Sequence, residues 1–237
     1  MEHTLKNNVT TQDIRLDRVE QFDEESRKYN IADLQDGKKL RSYTWRCNEW
    51  FDQGHEGACV GFALGHELAA RPAEVKELTH KILKTDIYWE AQRNDPWDGG
   101  AYPGATPFYE GTSVLAGVKR VKDMGYIEEY RWAFNIDDVL YGIGHNGPAV
   151  FGLPWYESMY YPDSKGFIKP EGRLMGGHCI LGRAISVRKD KEKVTLRNSW
   201  GKNWGKNGDC YITFEDLEKL LNQRGECCFL MKRKSKV

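Results

Sequence analysis

Residues 51–72 read FDQGHEGACVGFALGHELAARP, a glycine-rich polar turn joined to a helix-like run, with Cys59 at the junction. A free thiol with a pKa of ~8.5 is only about 3% thiolate at neutral pH. A helix N-terminus or a neighbouring imidazolium lowers that pKa to ~3.5–7.5 and makes the nucleophilic thiolate the major form. Cys59 has the first feature by sequence, because the amphipathic run starts there. The second must come from a distant histidine. Six are available: His3 near the N-terminus, His55 in the glycine turn, His66, His80, His145 and His178. His66 sits about two turns down the cysteine's own helix, roughly 10 Å along its axis and out of reach of the thiol. His178 stands apart, with Gly176-Gly177 before it and the apolar run Cys179-Ile180-Leu181 after it. Glycines ahead of a strand-borne histidine let another segment approach closely. A third group must hold the imidazole's tautomer and orientation. Asn198, in RNSWGKNWG, offers an amide oxygen that accepts a ring N–H without adding a charge, and Trp200 and Trp204 would shield the pair from water. Singly, His178 reads as a satisfied core histidine and Asn198 as a turn residue. Together with Cys59 they supply nucleophile, base and orienter.

These residues need elements to position them. Val60, Ala63, Leu64 and Leu68 recur at helical spacing from Cys59 to Arg71, and Pro72 stops the run. A second helix is expected over 75–92, followed by the loop NDPWDGGAYPGATPFYEG. A third helix is expected from Ser113 to Met124, capped by Thr112 or Ser113 and ended by Gly125. Beyond about residue 145 the texture changes to short β-prone runs, GPAVFGL, GHCILGRAISV, KVTLRNSW and DCYITF, divided by turn residues. Helices first and strands later predict an α+β protein of two lobes. The helical lobe would cover about 46–135 and the β-rich lobe about 136–230. Residues 1–45 are charged and read as an N-terminal arm, with weak helical spacing of Ile14, Arg18, Val19 and Phe22.

The 237 residues, 40% of them hydrophobic, suffice for a sizeable core. Thirty-five basic and thirty-five acidic residues leave no net field to attract nucleic acid or a membrane surface. No signal-peptide pattern and no run of ~18 apolar residues is seen, so a cytoplasmic location is expected. Cys47, Cys59, Cys179, Cys210, Cys227 and Cys228 are then expected to be reduced. With no CxxC pair a structural zinc site is not expected; no metal and no other cofactor is expected. The basic tail Lys232, Arg233, Lys234 and Lys236 reads as a solvated end.

Gln53 six residues before Cys59, then His178, then Asn198-Ser199-Trp200-Gly201 and Trp204-Gly205, make an ordered set spanning about Trp50 to Leu221. In order and local context it resembles the papain-like cysteine peptidase family. The resemblance implies a cleft between two lobes, with Cys59 as nucleophile, His178 as its acid–base partner and Asn198 as orienter. Gln53 would donate to the oxyanion together with the Cys59 backbone N–H. Gly57, Gly111 and Trp200 would contact an extended polypeptide substrate, the glycines by backbone pairing. The implied activity is that of a monomeric cysteine endopeptidase. Two positions depart from the pattern: Glu56 replaces a common half-cystine and Val60 a common tryptophan, as in divergent microbial or viral relatives. The arm is short for an inhibitory pro-segment of the usual family length; a small autoinhibitory strap and a simple extension both remain open. Two other readings compete. A transglutaminase-like acyltransferase would use the same thiolate, though such enzymes usually orient histidine with Asp. A non-catalytic peptide-binding module would tend to lose one of the four residues.

Overall fold

The computed structural model of the chain describes residues 3–5 and 10–234. Its first segment holds β1 (His3–Thr4), β2 (Thr10–Thr11), β3 (Arg18–Val19), α1 (Glu24–Arg27), a 3-10 turn (Ile31–Leu34) and β4 (Tyr43–Thr44). Then come α2 (Cys59–Ala69), a π-helical stretch (Ile82–Trp89) continuing into α3 (Glu90–Asn94), β5 (Thr112–Ser113) and α4 (Val114–Asp123). The remainder is β6 (Glu129–Ala133), α5 (Ile136–His145), β7 (Ala149–Tyr156), β8 (Leu174–Ser186), β9 (Lys193–Arg197), β10 (Asp209–Ile212), α6 (Phe214–Asn222) and β11 (Glu226–Met231).

An antiparallel sheet runs β10-β9-β8-β7-β11-β6, with β4 also paired to β8. Its central strands are buried on both faces, which is why they read as unbroken apolar runs. Val150, Cys179, Leu181, Cys228 and Leu230 join the cluster built on α2 and α4. Their neighbours Ala149, Phe151, Ile180, Cys227 and Phe229 join a second cluster with Ile143, Leu217 and Leu220 of α5 and α6. The period-2 alternation of the strands thus feeds two cores. The mixed α+β architecture agrees with the sequence reading.

Helix α2 is buried along all eleven residues. It passes so close to the π-helical stretch that a Cβ on Gly61 would lie 2.6 Å from the Leu83 carbonyl oxygen. Gly61→Ala should therefore cost ~1–3 kcal/mol through overpacking. The expected observation is a lower urea midpoint at unchanged slope; an unaltered midpoint would mean that the two helices separate without strain.

Three local expectations are corrected. The second helix begins near residue 80 rather than 75, because Glu74 and Glu77 adopt left-handed φ values of 48° and 64°. The arm is not helical around Ile14: the Asp13 carboxylate accepts the Arg15 N–H at 3.0 Å, and the Leu16 N–H bonds the Asp13 carbonyl at 2.9 Å. That Asp-centred turn competes with a helix. The basic tail is not simply solvated either. The Arg233 side chain is buried, with its Nε 2.5 Å from Oε1 of the buried Glu67, and Lys232 and Lys234 pair with Glu129 and Glu128. Lys236 lies outside the described residues.

Candidate active site

Cys59 is the first residue of α2, and no side chain caps that helix. Its Sγ accepts the backbone N–H of Cys179 at 3.3 Å, which fixes the thiol beside the strand that carries His178. Strand β8 presents His178 opposite Leu153 of β7. The Nε2 of His178 is 2.7 Å from Oδ1 of Asn198, just beyond β9. Its Nδ1 lies 3.3 Å from the carbonyl oxygen of Arg15. A neutral imidazole has one N–H, and the shorter contact to an amide oxygen assigns it to Nε2. Nδ1 then carries the lone pair and faces the Arg15 carbonyl, a contact that favours the protonated ring.

One dipeptide orients both amide side chains. Asn198 Oδ1 also accepts the Ser199 N–H at 2.8 Å, and the Ser199 hydroxyl donates to Gln53 Oε1 at 2.7 Å. The Gln53 N–H donates in turn to the Ser199 carbonyl at 2.9 Å. With Oε1 so occupied, the Gln53 amide nitrogen donates to the carbonyls of Glu56 at 2.8 Å and Arg15 at 3.4 Å. The His178 ring lies against Trp155 and Trp200, at centroid distances of 4.7 and 4.9 Å, and Trp204 meets Trp200 edge-on.

The arm fills the space that these groups face. Strand β3 pairs in parallel with β5, Arg18 opposite Thr112, while Asp17 bridges to Gly177 of β8. The Arg15 guanidinium lies 4.4 Å over the Trp200 ring. Gly57 and Gly111, singled out by the sequence, both lie against Asp17: a Cβ on Gly57 would meet the Asp17 and Glu110 carboxylates, and one on Gly111 the Asp17 carbonyl oxygen. Gly111 also has φ +91°, open to glycine.

Leu16, Asp17, Arg18 and Val19 are all buried. The Asp17 carboxyl faces the thiol yet neither oxygen finds a hydrogen-bond partner of good geometry. Burial pushes the Asp17 carboxyl well above its usual range, and the nearby Glu110 carboxylate adds to this. Burial, reinforced by Asp17, likewise holds the Cys59 thiol well above its ordinary value. Burial lowers His178 from 6.5 to about 4 despite the Asn198 contact. The low-pKa thiolate expected at a helix start is therefore not the state of this arm-filled cleft. Water that would solvate the ion pair is excluded, and a carboxyl is placed beside the thiol.

Gln53, Cys59, His178, Asn198 and Trp200 are thus brought together with Gly57 and Gly111 at the edge. His66 is not part of the group; it is buried and accepts the Phe51 N–H at 2.9 Å. All six cysteines are free and buried. Sequence reading missed Arg15, Asp17 and Arg18, which only the path of the arm brings here, and Trp155, whose place follows from β7–β8 pairing. Ser199 was in view within NSWG, but nothing local indicated that it ties Asn198 to Gln53. Among the described residues no cluster of three or more His, Cys, Asp or Glu side chains could hold a metal ion, and no helix is long and apolar enough to cross a membrane.

No protein-family model and no curated protein matches the sequence. Solved structures do match. Xylellain, a cysteine protease from Xylella fastidiosa, aligns at TM-score 0.68 and 15% identity over 93% of this chain and 97% of that one. Digestive procathepsin L 3 of Tenebrio molitor larval midgut aligns at 0.58 and 14%, over 93% of this chain and 75% of that one. A structure from the mite allergens Blo t 1 and Der p 1 aligns at 0.55 and 15%, over 92% and 76%.

Proposed function

From a papain-like cysteine protease fold whose cleft gathers these four side chains, we propose that the chain is a cysteine endopeptidase that hydrolyses polypeptides bound in extended form. The observation that carries the reading is the His178–Asn198 contact of 2.7 Å on a strand whose next residue, Cys179, donates its N–H to the Cys59 Sγ. In the proposed reaction Nδ1 takes the thiol proton and Sγ attacks the substrate carbonyl carbon. The oxyanion is held by the Gln53 amide and the Cys59 backbone N–H. His178 then passes its proton to the leaving amine, forming a thioacyl-enzyme. Water, deprotonated by His178, attacks the thioester; its collapse releases the acid and restores the thiol.

The substrate strand would take the edge of β5 that β3 now occupies. The arm is accordingly proposed to be an autoinhibitory strap. In its docked state the thiol faces a carboxyl side chain, and the Gln53 amide already donates to a carbonyl, that of Arg15.

The full chain should cleave fluorogenic peptides and gain the mass of one epoxide probe on Cys59. Gln53→Ala removes one oxyanion donor and should lower kcat by ~10²–10³ with KM little changed. Transfer of the acyl group to amines with no hydrolysis would favour the acyltransferase. No turnover and no labelling, even after the arm is displaced, would leave only a binding module.

A further inference from the structure

The residue after Asp17 is the most informative member of the arm. Arg18 is 3% exposed although it is an arginine in a short two-residue strand. Its Nε and Nη2 both bond Oε1 of Glu226, at 2.9 and 2.7 Å, and Nη2 also donates to the Arg224 carbonyl at 3.1 Å. Glu226, the first residue of β11, is itself 2% exposed. Of the other charged groups nearby, Arg27 Nη2 stands 3.9 Å from Glu226 Oε2, and Glu20 Oε1 is 3.6 Å from Arg18 Nη1. Glu226 Oε2 has no hydrogen bond of its own.

The space that holds this guanidinium exists because two facing residues lack side chains. A Cβ on Gly152 of β7 would lie 2.5 Å from Arg18 Nε, and one on Gly177 would lie 2.6 Å from the Arg18 carbonyl oxygen and 3.2 Å from its Cδ. Gly152 pairs with Glu226 across β7 and β11, so the carboxylate and the gap beside it are set by sheet register. The guanidinium's site is therefore a built one, floored by the Glu226 carboxylate and held on its sheet side by β7–β11 pairing. It opens one residue from the position facing Cys59, at the β5 register of Thr112.

We infer that the pocket floored by Glu226 selects a basic side chain of the substrate, arginine above lysine, and that Arg18 occupies it in the substrate's place. The inference rests on the peptidase reading and deepens it. Arginine suits the pocket because its planar fork can engage the carboxylate and a backbone carbonyl at once, which a lysine ammonium at the end of a flexible stem does less well. An apolar side chain would leave a buried carboxylate unpaired, so it should be rejected strongly.

The test uses the full-length protein and a fluorogenic peptide set in which Arg, Lys, Gln and Leu are placed in turn at each position. At one position Arg should exceed Leu in kcat/KM by at least ~10²-fold. Glu226→Gln should bring that ratio to within a few-fold. The Arg18→Gln/Glu226→Gln double variant, in which neither charge is stranded, must do the same and guards against misfolding of the single variant. A preference for Leu, or an Arg-to-Leu ratio that survives both variants, overturns the inference. If no peptide is cleaved even by the Arg18→Ala protein, in which the arm is released, the peptidase reading fails, and binding decides the pocket alone. Labelled Arg and Leu peptides are then titrated into the Cys59→Ala/Arg18→Ala protein with fluorescence anisotropy. Tenfold or tighter binding of the Arg peptide, abolished by adding Glu226→Gln, upholds the pocket; equal or no binding refutes it.

Discussion

Cys59→Ala should abolish peptide hydrolysis while the fold survives. The side chain is fully buried and makes one hydrogen bond, accepting the Cys179 N–H at 3.3 Å. Alanine leaves that N–H without a partner, a loss of ~1–3 kcal/mol. Most of a typical 5–15 kcal/mol of stability would remain. The chemical loss is total by contrast, because no other group near Nδ1 of His178 can form the acyl intermediate; Asp17 faces the same space but is a carboxyl held well above its usual pKa. The measurement is turnover of a fluorogenic peptide, with the thermal midpoint recorded on the same preparation. Activity within tenfold of wild type would remove Cys59 from the mechanism. Loss of activity with loss of the folded signal would say nothing about chemistry, and Cys59→Ser, which keeps a hydrogen-bond acceptor in place, then decides.

Arg18→Ala should have the second-largest effect, and in the opposite direction. Truncating one partner of a buried ion pair costs ~3–5 kcal/mol, because the other charge is left buried and alone. Here that cost falls on arm docking: with the arm displaced Glu226 regains solvent, while with the arm docked only Arg27, at 3.9 Å, still faces it. The alkylation rate of Cys59 by iodoacetamide should rise on the order of 10²-fold, and peptidase activity with it. An unchanged rate would mean that the arm either never leaves or never blocks.

The pH dependence has a definite sign. In the docked state Asp17 and Cys59 are both raised, so docking is favoured while they hold their protons and weakens as pH rises. His178, lowered to about 4, acts the other way: docking is lost as pH falls below 6.5 toward that value. Between about pH 4 and 6.5 the Asp17 and His178 contributions oppose each other. Above that window only the raised groups remain, and docking weakens. The alkylation rate of the wild-type chain should therefore climb with pH to a higher inflection than that of Arg18→Ala, whose thiol is already released. Coincident profiles would show that docking does not hold the thiol proton.

What the sequence determined by itself were the features set by local spacing and residue chemistry. Helix α2 could be read from Val60, Ala63, Leu64 and Leu68, and its start at Cys59 from the glycine turn before it. The helix with Ser113 as N-cap, ended at Gly125, was legible because capping and termination depend on a few adjacent residues. Gln53, His178, Asn198 and Trp200 could be named because each carries its signal in neighbouring glycines and tryptophans. Only the tertiary structure decided the path of residues 10–19. Their weak helical spacing is overridden by the Asp13-centred turn and by pairing with β5 and β8, which lie about a hundred and more residues away along the chain. The same holds for Glu226. In the sequence it is one acidic residue ahead of two cysteines. It becomes the floor of a pocket because β7–β11 register sets it opposite Gly152, and because the arm brings Arg18 across more than two hundred residues to meet it. Protonation followed the same rule. A helix start predicts a lowered thiol pKa, but burial under the arm raises it, since desolvation by a distant segment outweighs the local dipole.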